Sequence, residues 1–182
     1  LEACAALGIA RPNSVDARSL EARIGCNMTT NNFRVVPLSS GTAEEARRRA
    51  QAGAPDHAIV EVDSSTGYPC RHCLQWAKPG ERVILFPYAS IPTGRPYSES
   101  GPIFVHAEPC EPYAATDRYP ENFRSHRVLR AYDENDDMID AIVVPDDQPE
   151  AIIEILLQNP KTKSLQARSV SRGCFTFKIE RR

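Results

Sequence analysis

From Asn32 onward, short runs of β-branched and aromatic residues alternate with glycine, proline and small polar residues, and few runs are long enough for a helix. Phe33 to Leu38, Ala58 to Asp63, Arg82 to Tyr88 and Ile103 to His106 read as strands. So do Arg127 to Tyr132, Met138 to Val144, Leu165 to Val170 and Cys174 to Ile179. Two windows escape the pattern. Thr42 and Glu45 form a capping box for a helix reaching about Ala52, with Gly53 placed to end it. Asp147 and Glu150 repeat that spacing, with Pro149 in the first turn, for a helix from Gln148 to Gln158. Its Ile152, Ile153, Leu156 and Leu157 share one face, and Asn159-Pro160 ends it.

Two hairpins follow from the turn residues. Asp133-Glu134-Asn135-Asp136-Asp137 joins two strands as a solvated acidic turn, lacking the glycine and distal glutamate of a calcium loop. Ser171-Arg172-Gly173 joins the last two. The stretch from Pro87 to Pro102, both included, holds four prolines and two glycines, which predicts a long loop. The fold class expected is α+β, a mainly antiparallel sheet of about seven strands with two main helices on one face. A chain of 182 residues suits one domain. Residues 1–27 differ in character, with one short helix at Val15 to Ile24 behind Ser14. They read as an N-terminal extension (a leader, an expression remnant or a mis-assigned start), with residues 28–182 as the single α+β domain.

Charge narrows the partners. The formal net charge is −2, and the one basic cluster, Arg47-Arg48-Arg49, falls in a helix beside Glu44 and Glu45. That is a solvated helix face rather than a phosphate-binding surface, so no nucleic acid is expected. No run nears the roughly 18 apolar residues of a membrane span, so no membrane is expected either. Leu1 to Ala10 makes a poor export signal, which points to a cytoplasmic protein whose six cysteines are thiols, metal ligands or redox groups.

The chemistry concentrates at Cys70-Arg71-His72-Cys73. Two cysteines two residues apart can converge on one metal ion or form a redox pair. His106 and Cys110 lie downstream, so Cys70, Cys73, His106 and Cys110 make a three-thiolate, one-imidazole set suited to zinc. The bland alternative is four independent buried side chains, since free cysteine packs as a small hydrophobe. A redox pair would sit at a helix N-terminus, but Pro69 before it and Lys78-Pro79-Gly80 after it leave little room for one. A looser group of loop residues, including Tyr88, Ser100, His106 and Arg172, could converge on a small ligand. Arg71 and Arg172 could clamp a carboxylate or phosphate, or simply tie loops to acidic side chains.

Tyr68-Pro69-Cys70-Arg71, Gly101 to His106, Leu129 to Asp133 and Arg172-Gly173-Cys174-Phe175 are similar, in that order, to the bacterial family catalogued as domain of unknown function 1203. The resemblance spans roughly Phe33 to Arg181. It implies a compact bacterial domain and brings no activity or cofactor. It stresses Cys70 and Cys174 with Arg71 and Arg172, and implies that these two cysteines could face each other across the sheet.

Three readings result. The first is a small-ligand-binding or enzymatic domain with Cys70 and His106 as catalytic residues. Arg71, His72, Tyr88, Ser100, Arg172 and Cys174 would then hold a small anionic ligand. The second is a structural zinc protein using Cys70, Cys73, His106 and Cys110. The third is an interaction module without catalysis.

Overall fold

The computed structural model describes residues 32–64, 67–145 and 148–182. The expected helix at Val15 to Ile24, the start at Met28 and the capping role of Asp147 lie outside the described residues.

The β-branched runs become strands, in chain order β1 (Phe33–Val36), β2 (Ala58–Glu61), β3 (Arg82–Ala89), β4 (Ser100–His106), β5 (Arg127–Tyr132), β6 (Met138–Val143), β7 (Ser164–Ser169) and β8 (Phe175–Arg181). The two helical windows become α1 (Ser40–Gln51) and α2 (Pro149–Gln158), and a single 3-10 turn covers Glu121–Phe123. The strands form two antiparallel sheets rather than one, a five-stranded sheet in the order β1-β8-β7-β5-β6 and a three-stranded sheet in the order β2-β3-β4. The class is α+β, as expected, but each sheet carries its own helix. Ile152, Ile153 and Leu156 of α2 pack with Leu129, Leu165 and Phe177 of the large sheet. Ala43, Ala46 and Ala50 of α1 pack with Ile84, Ile103 and Val105 of the small one. Small alanines on α1 let that helix lie close to the strands.

Three local expectations are corrected. The α1 cap is Ser39, whose Oγ accepts from the Thr42 N–H at 3.1 Å, one turn earlier than the expected Thr42–Glu45 box. Glu45 instead accepts from Arg48. At the other helix, the N-cap is Gln148, whose side chain makes no capping bond. The proline-rich stretch is a loop only over residues 90–99, since β3 runs to Ala89 and β4 starts at Ser100, with Pro87 opposite Pro102. Neither residue has an N–H to donate, so the two can face each other at a position that exchanges no ladder bonds. β2 stops at the partner of Leu85, leaving Pro87 with a free outer edge. The acidic turn is as expected, with Asp133 Oδ1 accepting from the backbone of Asn135 and Asp137.

A long irregular segment runs from the end of β4 to β5. Arg124 fastens it to α2 by two bonds to Glu150, of 2.9 and 2.8 Å. Arg168, buried on β7, joins the sheets by bonding Ser90 and Gln166 and pairing with Glu99.

Ile152, fully buried under the large sheet, and Val143, 60% exposed on β6, offer a direct contrast. Ile152→Ala is expected to lower unfolding stability in urea by about 2–5 kcal/mol. Val143→Ala should stay within about 0.5 kcal/mol of wild type. Equal losses would mean that α2 does not cover the core.

Candidate metal centre and arginine-lined cleft

Residues 69–76 form a tight knuckle. Pro69 bridges Trp76, Cys70 N–H donates to Gln75 O, and Leu74 N–H returns to Cys70 O. Leu74, at φ 56°, supplies the left-handed residue that reverses the chain after Cys73. Backbone hydrogen bonds from Cys73 to the Cys70 sulfur and from Gln75 to the Cys73 sulfur favour the thiolate form of each. The knuckle is pinned to the small sheet, because Cys70 bridges Phe104 and Arg71 N–H donates to Phe104 O at 2.9 Å.

β4 then delivers His106 at its end, and the segment beyond it delivers Cys110. The ligand atoms of Cys70, Cys73, His106 and Cys110 all lie within 4.8 Å of one another. Cys70 Sγ is 3.9 Å from Cys110 Sγ, and Cys73 Sγ is 3.4 Å from His106 Nδ1. A tetrahedral zinc with Zn–S bonds of about 2.3 Å needs S–S edges of about 3.8 Å and slightly shorter S–N edges. A disulfide needs about 2.05 Å, so the 3.9 Å pair is two free thiols. The group could hold a metal ion such as zinc.

Its surroundings fit that chemistry. His106 presents Nδ1 to the sulfurs and Nε2 to Glu81 Oε2 at 3.5 Å, so a carboxylate faces the far side of a candidate ligand imidazole. Glu81 is itself held by Lys78 N–H at 2.8 Å. Cys110 Sγ receives Arg47 Nη2 at 3.7 Å and stands 3.4 Å from His72 Nδ1, while His72 Nε2 meets Ser40 Oγ. Without a metal the four groups share charge. Hydrogen bonds from Cys110 and Cys73 hold the Cys70 thiol far below its usual range, and the same contacts with burial push Cys73 up. Hydrogen bonding to Cys110 and Cys70 raises His106 to about 10. A cleft of about 420 Å³, lined by His72, Arg47 and Cys110 among others, opens one side of the group to solvent.

Arg71 follows Cys70 at the start of the turn, and the two side chains part to opposite sides of the small sheet. Cys70 is buried with α1 and the inner face of the small sheet, and Arg71 lines a second cleft of about 490 Å³. That cleft lies between the outer face of the small sheet, at Leu85, Pro102 and Phe104, and the β7–β8 turn, at Arg172 and Cys174. The expected Cys/His/Arg site is thus divided. Cys70 and His106 stand with Cys73 and Cys110, with His72 beside them. Arg71, Arg172 and Cys174 line the other cleft. Tyr88 and Ser100 belong to neither, as Tyr88 packs on Phe175 with ring centroids 5.2 Å apart and Ser100 is exposed opposite Ala89.

Three contributors are absent from the sequence reading. Arg47 is drawn out of the basic cluster by His106 O at 3.1 Å and by Cys110, Glu81 sits in what reads as an ordinary turn, and Arg127, which lines the second cleft, reads as a plain strand residue. A basic residue on the edge of an alanine stripe was the one available signal for Arg47. Among the described residues no helix is long and apolar enough to cross a membrane.

A family model, described as protein of unknown function (DUF1203), matches residues 67–181. The match starts later than Phe33 and leaves out β1, α1 and β2, yet it contains all four candidate metal ligands and all three arginines of the cleft. No curated protein and no solved structure matches the chain. With well over half its length inside that match, the chain belongs to the DUF1203 family.

Proposed function

We propose that this is a metal-binding domain in which Cys70, Cys73, His106 and Cys110 hold one zinc ion as a structural centre. The observation that carries the reading is the convergence of three sulfurs and one imidazole within 4.8 Å, close to the edges of a tetrahedron. All four positions come from the protein, which leaves none for water or substrate and favours a structural role over a catalytic one. Three soft thiolates select zinc over magnesium or calcium, and ligands this close suit one ion rather than a multi-iron cluster. Complete burial of Cys70 argues in the same direction, because a nucleophile must reach its substrate.

The benefit lies in what the ligands join. They come from the knuckle, the end of β4 and the irregular segment after it, which are otherwise tied by few backbone bonds, such as Tyr113 N–H to His72 O. One ion would fasten all three and neutralise most of the thiolate charge, with Arg47 and His72 close to Cys110.

Elemental analysis of the purified chain should give about one zinc per molecule. Cys73→Ser or Cys110→Ser should lose most of it, whereas Cys174→Ser keeps it. A zinc content near zero in the wild-type chain, with no uptake on titration, removes the reading. Glu81→Gln is expected to weaken zinc affinity about tenfold, the low end for a partner behind a ligand histidine, because Glu81 is partly exposed. Competition with a chromogenic chelator measures it, and an unchanged affinity would mean that Glu81 does not act through His106.

A further inference from the structure

We propose that the cleft between the small sheet and the β7–β8 turn is a separate binding site for a small organic anion, an oxyanion head on an apolar body. Three arginines line it, Arg71, Arg127 and Arg172, and among the described residues no aspartate or glutamate does. Because the chain as a whole carries a net charge of −2, this local positive excess is not a general property of its surface.

Two of these guanidiniums are buried and lack an acidic partner. Arg71 is 5% exposed and donates only to backbone carbonyls, from Nε to Phe175 O at 2.9 Å and from Nη1 to Pro69 O at 2.6 Å. Burial lowers its pKa to about 10, which still leaves it charged at neutral pH. Arg127 is 8% exposed and lies over the Phe123 ring, donates from Nη1 to His126 O, and its Nε has no partner. Among the described residues neither has a carboxylate in ion-pair range, and nor does the exposed Arg172 at the cleft mouth. A buried charge without a counter-charge is costly, and proteins normally supply one.

This protein does so elsewhere. Arg168, equally buried at 3% exposure and also near the β7–β8 hairpin, has Glu99. The uncompensated charge of Arg71 and Arg127 is therefore local to this cleft rather than a habit of the fold. Guanidiniums are the side chains best matched to carboxylate and phosphate oxygens, which they can grip two at a time. Hydroxyls of Ser169, Ser171 and Thr176 add polar partners on the same wall. Apart from His126 and Cys174 the rest is apolar, with Trp76, Leu85 and Phe104 among the lining residues. A bare inorganic ion would leave that surface wet, whereas an aromatic or aliphatic body would cover it. The volume of about 490 Å³ is in the range of small-molecule sites. Nothing in this inference needs a metal at the other centre.

The test is calorimetric titration of the full chain with phenyl phosphate, benzoate, inorganic phosphate and benzyl alcohol. At least one of the two organic anions should bind about tenfold or more tighter than both the neutral alcohol and inorganic phosphate, as charge-assisted bonds to arginine require. Phenyl phosphate ahead of benzoate identifies a phosphate ester as the natural head group, and the reverse order a carboxylate. Arg172→Ala, at an exposed position, should weaken binding about tenfold while leaving the unfolding temperature unchanged. Arg71→Met should abolish binding, and if it does not fold, Arg172→Ala decides alone. The proposal is overturned if neither organic anion outperforms benzyl alcohol, or if Arg172→Ala binds like wild type. Loss of binding on Arg48→Ala instead, in the cleft beside Cys110, would also overturn it.

Discussion

The parallel bridge between Cys70 and Phe104 is the contact on which both candidate sites depend. It fixes the start of the knuckle against the small sheet, where the Cys70 and Arg71 side chains leave on opposite sides. Cys70 goes inward to the three other ligand residues, and Arg71 goes outward to the cleft. A shift of one residue in this bridge would exchange the two, burying a guanidinium among the thiols and turning a sulfur into the cleft. The backbone bond from Arg71 N–H to Phe104 O, and that from Leu38 N–H to Arg71 O, hold the register from both sides.

Charge explains why the two sites lie back to back without conflict. The sulfur group centres on the Cys70 thiolate and gathers the Arg47 guanidinium from α1 and the His72 ring from the knuckle. The cleft concentrates positive charge and has no acid among the described residues of its walls. Burial strengthens electrostatic preference on both sides, so the two proposed partners are of opposite sign, a divalent cation for one site and an organic anion for the other.

Much of this was legible in the sequence. Every strand was visible as a β-branched run, and both helices were visible from apolar spacing and turn residues. The division into two sheets was not, because it rests on pairings such as Phe33 with Arg181, which no local pattern encodes. Pro102 concealed the start of β4, since proline normally breaks a ladder and only its pairing with Pro87 permits it here. The four ligand residues could be read from spacing alone, because the chemistry of thiolate and imidazole restricts the choice. Their outer partners could not: Glu81 and Arg47 acquire a role only when turn and helix are brought beside His106 and Cys110. Cys70 and Cys174, which the family resemblance set together, instead mark different sites.

X-ray absorption at the zinc edge of the purified chain tests the central claim most directly, because it reads the ligand atoms themselves. The account predicts a first shell of about three sulfurs near 2.3 Å and one nitrogen near 2.0 Å. A shell of oxygen and nitrogen alone, or the same spectrum from Cys70→Ser, would contradict it.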